Sequence, residues 1–285
     1  MICRLLILLG LLAAAQEPKP ERIEPDVKDE KYGPHERNVL DLWQARSDGP
    51  TPLVVFIHGG GFLVGYKEYV KAELIRRCRD NGISVAAINY RYSSQAPFPG
   101  PFHDSARAIQ YLRSKAREWN LDPARFGATG GSAGGGMSLW LAFHDDLADP
   151  KSADPVLQHS TRLQAVVAVA AQSSYDPRWI REHIGGKAHQ HDAIAKLYGL
   201  PPEESDSEKA HRLYDEAAPL HHLTKDDPPV YLTYEGPDPG RIHSSKFGEI
   251  LKSEMDKLAV PCELKVGPDT IESYVAFFAK HLKKR

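Results

Sequence analysis

A chain of 285 residues with 41% hydrophobic side chains can bury one large core, as a single domain or as a domain with a small lid. Its net charge of −2 gives no basis for a nucleic-acid partner or an anionic membrane surface. Three cysteines in this length exclude a disulfide-rich scaffold.

The first elements are not part of the fold. Met1 to Arg4 carries one positive charge, Leu5 to Leu12 is an apolar run, and Ala13-Ala14-Ala15 supplies small residues before Gln16. This is the outline of a secretory signal peptide over 1–15, and the run is too short to span a bilayer. Residues 16–30 read as a polar, proline-bearing linker, and 31–285 as the folded domain. The mature protein is expected to be secreted or periplasmic, with no stable membrane anchor after cleavage. Cys78 and Cys262 would then remain, on elements expected to lie far apart, as two largely buried thiols.

Asn38 to Ala45 alternates apolar and polar residues and predicts a strand with one wet face. Leu53 to Ile57 is a continuous apolar run, as expected of a strand buried on both faces. A helix is predicted from Tyr69 to Arg79, a strand over Ile83 to Ile88, and a long helix over Phe102 to Trp119. Arg125 to Thr129 reads as a short strand, and Met137 to Phe143 as the start of a helix. Leu163 to Ala171 and Val230 to Tyr234 are further buried strands. Ile242 to Leu258 predicts a helix, Cys262 to Val266 a strand, and Ile271 to Leu282 a final helix. Strands alternate with helices, so the fold class is α/β, with a mainly parallel sheet covered on both faces. Residues 174–220 are less regular, rich in charge and histidine, and are expected to form a lid-like insertion over the C-terminal ends of the strands.

Between the strand at Arg125 and the helix at Met137 lies Gly130-Gly131-Ser132-Ala133-Gly134. This fits G-x-S-x-G, a strand-to-helix turn that lifts a serine hydroxyl off the end of a sheet. Small residues flank the serine because larger side chains would collide across the turn. No lysine is near, which argues against a phosphate-binding loop. Acyl transfer also needs donors for a developing oxyanion. His58-Gly59-Gly60-Gly61-Phe62, at the end of an early strand, is placed to supply them.

With His58 to Phe62, Asn89-Tyr-Arg-Tyr92, Asp104, Asp122 to Gly127 and Gly130 to Gly135, the chain resembles the α/β-hydrolases of the hormone-sensitive-lipase-like esterase group. Secreted bacterial esterases of acetylated or feruloylated carbohydrates belong to that group. The resemblance is close from Arg37 to Ala142 and weaker from Ala217 to Lys265. It implies an eight-stranded, mostly parallel sheet and hydrolysis of carboxylic esters without a cofactor or metal. It implies Ser132 as nucleophile, with Gly60, Gly61 and Ala133 around the oxyanion. Asp238, after the strand Val230 to Tyr234, matches the family's acid, and Glu235 is the other candidate. A short acyl ester of a small alcohol or a carbohydrate is the expected substrate.

The family's histidine belongs in a loop after the last strand. Here Gly267-Pro268 is followed at once by a predicted helix, with Asp269 as cap and Glu272 completing a capping box. No histidine lies in that loop. His243, five residues after Asp238 in the segment leaving the same strand, is the best-placed substitute. His281 is expected to point away within the last helix, and His221 and His222 to sit at the far end of the sheet. His183, His189 and His191 fall in the insertion, and His58 is expected to support the oxyanion loop. His189-Gln-His191-Asp192 lacks further ligands at metal spacing, so no metal is assigned. The missing histidine leaves a second reading open: an impaired α/β-hydrolase homologue with a binding role. Acyl transfer to an acceptor other than water is a third.

Overall fold

A computed structural model of the chain describes residues 22–282. The signal-peptide reading of 1–15 and the first part of the linker lie outside the described residues. Eight strands form one sheet: β1 (Val27–Lys31), β2 (Val39–Trp43), β3 (Thr51–Ile57), β4 (Ser84–Ile88), β5 (Leu121–Gly131), β6 (Ala165–Val169), β7 (Val230–Tyr234) and β8 (Cys262–Val266). Their spatial order is β1-β2-β4-β3-β5-β6-β7-β8. β2 pairs antiparallel with β1 and β4, and every other neighbouring pair is parallel. β1 starts inside the stretch read as linker. It is an edge strand with no buried residue, so its sequence stays polar and hides it.

The helices are α1 (Ala72–Asp80), α2 (Gly100–Ser114), α3 (Ala133–Phe143), α4 (Pro177–His183), α5 (Asp192–Ala195), α6 (Glu208–Ala217), α7 (Pro219–His222), α8 (Lys246–Lys257) and α9 (Ile271–His281). The side-chain period of two along β3 splits the core. Leu53, Val55 and Ile57 face α2, α3 and α8, while Val54 faces α1 and α9. The apolar run is thus what a strand covered on both faces requires.

The expectation of a wet face on β2 fails at Asp41, which is 1% exposed. The cause is Lys67, in the short 3-10 turn Lys67–Tyr69 after the glycine loop. Its equally buried ammonium lies 2.8 Å from Asp41, 2.8 Å from Asp29 and 2.9 Å from Glu68. Burial pulls the Lys67 pKa down, but the three carboxylate hydrogen bonds outweigh it, and it ends above the ordinary lysine value. The charged pair therefore anchors the far side of the glycine loop to β2.

Three boundaries differ from expectation in informative ways. α2 stops at Ser114, and a turn carries the chain to the buried Trp119. The helix predicted at Met137 starts at Ala133, directly after Ser132. The helix predicted from Ile242 starts only at Lys246, because the Ile242 carbonyl already accepts from the Gln172 amide at 2.7 Å. His243 therefore stays in a loop. The insertion over 174–220 shares the main core through Ile180, Ile194, Leu197 and Tyr214. Cys78 is buried and Cys262 partly so. Both are free thiols, with burial pushing each up to about 12. No described helix is long and apolar enough to cross a membrane.

Removing one member of a buried ion pair leaves the other uncompensated. Asp41→Ala is expected to cost about 3–5 kcal/mol in urea unfolding, and the double change Asp41→Leu/Lys67→Met clearly less. Equal losses in the two proteins would show that the pair does not act as argued.

Candidate active site

β5 delivers the chain to Ser132, whose φ of 52° and ψ of −122° lie outside the ordinary regions for a side-chain-bearing residue. Such backbone costs on the order of 1–3 kcal/mol and persists only where its surroundings enforce it. They do so here. The Ser132 N–H donates to Val169 O at 2.8 Å, and its carbonyl accepts from Gly136 N–H at 2.9 Å. A Cβ at Gly134 would stand 2.0 Å from the Ile57 carbonyl oxygen, so only glycine lets α3 start this close to β3. Ala133 occupies the first position of α3, where its N–H has no intrahelical acceptor.

The loop after β3 faces this turn. Gly60 has φ +105°, and a Cβ there would meet the Val64 carbonyl oxygen at 2.1 Å. The Gly60 carbonyl accepts from the N–H groups of Leu63 (3.0 Å) and Val64 (3.2 Å). These bonds fold the loop back on itself and leave the N–H groups of Gly60 and Gly61 outside them. His58 braces the loop from beneath, as its position in the motif predicted. It is fully buried, stacks on Tyr90 with centroids 4.1 Å apart, and places Nδ1 2.7 Å from Gly59 O. A carbonyl only accepts, so Nδ1 carries the proton and Nε2 takes the Arg37 guanidinium at 3.3 Å. Burial above all lowers the His58 pKa to about 4 and keeps the ring neutral. Arg37 also donates to Tyr90 O (2.7 Å) and Gly65 O (3.0 Å) and lies 3.7 Å over the Tyr92 ring. Asp104 receives Arg91 through two side-chain bonds of 2.6 and 2.8 Å. The Asn89 to Tyr92 and Asp104 motifs are thus loop supports.

His243 Nε2 lies 2.9 Å from Ser132 Oγ. Its ring belongs to the loop between β7 and α8, which Ser244 Oγ and Ser245 N–H tie to the Pro237 carbonyl at 3.1 Å each. Burial first, then the neighbouring His191, lowers the His243 pKa, and Asp238 opposes them. Asp238, at φ 33°, stands 3.4 Å from Arg241 Nε. Among the described residues no hydrogen bond joins His243 Nδ1 to Asp238 or to Glu235. Both carboxylates line the same cleft as Ser132 and His243, a space of about 610 Å³ that Leu74, Ile271 and Tyr274 also line.

The other histidines have different surroundings. His281 packs on Phe277 within α9, and His183 stacks on Trp179 at 4.5 Å. His221 lies 3.6 Å from Asp215. His191 caps α5 by accepting the Ala193 N–H at 3.1 Å, and His189 joins no group of metal-binding side chains among the described residues. The loop after β8 carries no histidine, and the expected capping box there does not form. Asp269 instead accepts the Tyr231 hydroxyl at 2.8 Å, and Thr270 caps α9 through Ser273 N–H at 3.4 Å.

Residues 40–242 match the BD-FAE family, well over half of the chain, ending one residue before His243. The probable carboxylic ester hydrolase LipM of Mycobacterium tuberculosis is 28% identical over 72% of this chain and 46% of its own length. The probable isoprenylcysteine alpha-carbonyl methylesterase ICMEL1 of Arabidopsis thaliana is 25% identical over 78% of this chain and 46% of its own. The chain therefore spans about half the length of these curated relatives. A truncated carbohydrate esterase from gut microbiota superposes with a TM-score of 0.76 at 21% identity, covering 93% of this chain and 99% of that one. With residues 40–242 matched, the chain is a member of the BD-FAE family, an α/β-hydrolase of the hormone-sensitive-lipase-like esterase group.

Proposed function

We propose that the protein is an exported serine hydrolase of short acyl esters, including those of carbohydrates. The 2.9 Å contact between His243 Nε2 and Ser132 Oγ carries this reading. Ser132 Oγ attacks the ester carbonyl as its proton passes to His243 Nε2. The oxyanion is received by the N–H groups of Gly60, Gly61 and Ala133. The alcohol leaves with the proton from His243. Water, deprotonated by the same ring, then attacks the acyl-enzyme and restores Ser132. Asp238 stabilises the imidazolium from the loop that carries the ring. The geometry favours this over an impaired homologue, because an imidazole stands 2.9 Å from the hydroxyl although the loop after β8 has none. The carbohydrate assignment is supported by a structural neighbour described as a carbohydrate esterase, and export by the leader-like run over 1–15.

A fluorophosphonate probe is expected to label the protein at Ser132, and p-nitrophenyl acetate to be hydrolysed. Ser132→Ala and His243→Ala should each lower kcat by about 10⁴–10⁶. Full activity in His243→Ala would exclude that ring as the base.

The base works only as the neutral ring, and burial and His191 hold the His243 pKa down. The acid limb of kcat/KM against pH should therefore fall below the ordinary imidazole value of about 6.5. Asp238 favours the charged ring, so Asp238→Asn should move this limb to still lower pH while reducing kcat, with a smaller displacement in Glu235→Gln. A larger displacement in Glu235→Gln would make Glu235 the acid.

Expressed from its full sequence in a secreting bacterial host, the exported protein is expected to begin at Gln16 by mass spectrometry of its N-terminus. Recovery of the intact leader on protein confined to the cytoplasm would contradict the export assignment.

A further inference from the structure

Three side chains with no part in the ester chemistry meet at the far end of α3. His144 ends that helix, Glu216 lies in the last turn of α6, and His222 ends α7. One ligand atom from each lies within 4.8 Å of the others, the one such group of three among the described residues. Glu216 is 72 residues from His144, so only the fold assembles them.

The protons on the two rings are placed by their other contacts. His144 Nδ1 is 2.8 Å from Asp145 O, and His222 Nε2 is 2.8 Å from Glu216 O. Backbone carbonyls only accept, so both of these nitrogens carry hydrogen. In the neutral rings His144 Nε2 and His222 Nδ1 are then bare lone pairs. His144 Nε2 stands 2.9 Å from Glu216 Oε1, a lone pair facing a carboxylate oxygen. Such a pair needs a cation. A proton would satisfy this contact alone and leave the second imidazole unused. Two imidazoles each held by a carbonyl at one nitrogen, with one ligand atom of each within 4.8 Å of a carboxylate oxygen, have instead the support typical of a metal site.

We propose that His144, Glu216 and His222 bind a zinc ion. Two nitrogen ligands and one carboxylate suit Zn²⁺ and leave a fourth position to water. Ligands bound tetrahedrally at about 2.0–2.1 Å stand about 3.4 Å apart; here His144 Nε2 and Glu216 Oε1 are 2.9 Å apart and all three ligand atoms lie within 4.8 Å of one another. Glu216 is exposed, which gives the ion an entry path. Ser132 and His144 flank the 11 residues of α3, so the site lies about 18 Å along the helix from Ser132. Its role is to clip the insertion, through α6 and α7, to the helix that begins at the serine turn. The Trp140 indole N–H already donates to the Glu216 carbonyl at 2.8 Å and holds the two parts in register.

Chelator-treated protein, titrated with zinc chloride and followed by calorimetry and thermal unfolding, tests this. One ion per chain is expected, with a Tm rise of about 5 °C at saturating zinc. Cobalt(II) in place of zinc should give the visible bands of a four-coordinate nitrogen–oxygen site. Glu216→Gln and His222→Gln, each checked for native circular dichroism, should weaken zinc binding by about a hundred-fold or more. The double variant His189→Ala/His191→Ala should bind as the parent does. The proposal is overturned by a parent protein with no zinc-dependent change, by unaltered affinity in a folded Glu216→Gln or His222→Gln, or by loss of binding in the His189/His191 variant.

Discussion

The fold turns on one close approach: α3 begins so near β3 that the Gly134 Cα almost touches the Ile57 carbonyl. No side chain fits between them, and the chain can make the turn only by holding Ser132 at positive φ. The strain is local, while the groups that enforce it are not. Val169 on β6 takes the Ser132 N–H, and Ile57 on β3 fixes the distance. Three parallel strands therefore have to be in register before the hydroxyl can stand where it does. The same approach brings the glycine loop of β3 against the first free N–H of α3, so the proposed nucleophile and oxyanion donors come from one packing event.

The glycine loop itself has little to hold it. Its support comes from buried polar groups on either side. Neutral His58, with Arg37 and Tyr90, supports its start, and the Lys67 ammonium among three carboxylates holds its end. Groups this costly to bury persist where every donor and acceptor is met. They give the loop a fixed shape without filling the cleft, which leaves the N–H groups of the proposed oxyanion glycines outside the loop's own bonds.

The proposed base comes from an unexpected element. With only Gly267 to Thr270 between β8 and α9, that side of the cleft cannot extend a ring over Ser132. The β7–α8 segment can, because Gln172 captures the Ile242 carbonyl and delays the helix. The proposed acid and base then share one loop. The carboxylates act on His243 through charge at a distance, with no direct hydrogen bond among the described residues, and alignment rests on the serine bonds that close the loop on Pro237.

Much of this was legible in the residues. Apolar runs located the central strands, and the small residues around Ser132 and after His58 located the two loops, because glycine is demanded by local backbone geometry wherever the chain is placed. β1 was not legible, since an exposed edge strand has no apolar period to read. Asp41 read as solvent-facing because its partner lies 26 residues away. His243 could be ranked first by sequence distance alone, and its ring could not be aimed: the helix start beside it depends on Gln172, 70 residues earlier. His144, Glu216 and His222 gave no signal at all. The sequence by itself determined the central strands, the small residues of the serine turn and the glycine loop, since those rest on short-range sterics and hydrophobic period. Only the tertiary structure decided which histidine meets the serine and which three side chains could share a metal ion, because both depend on contacts between segments far apart in the chain.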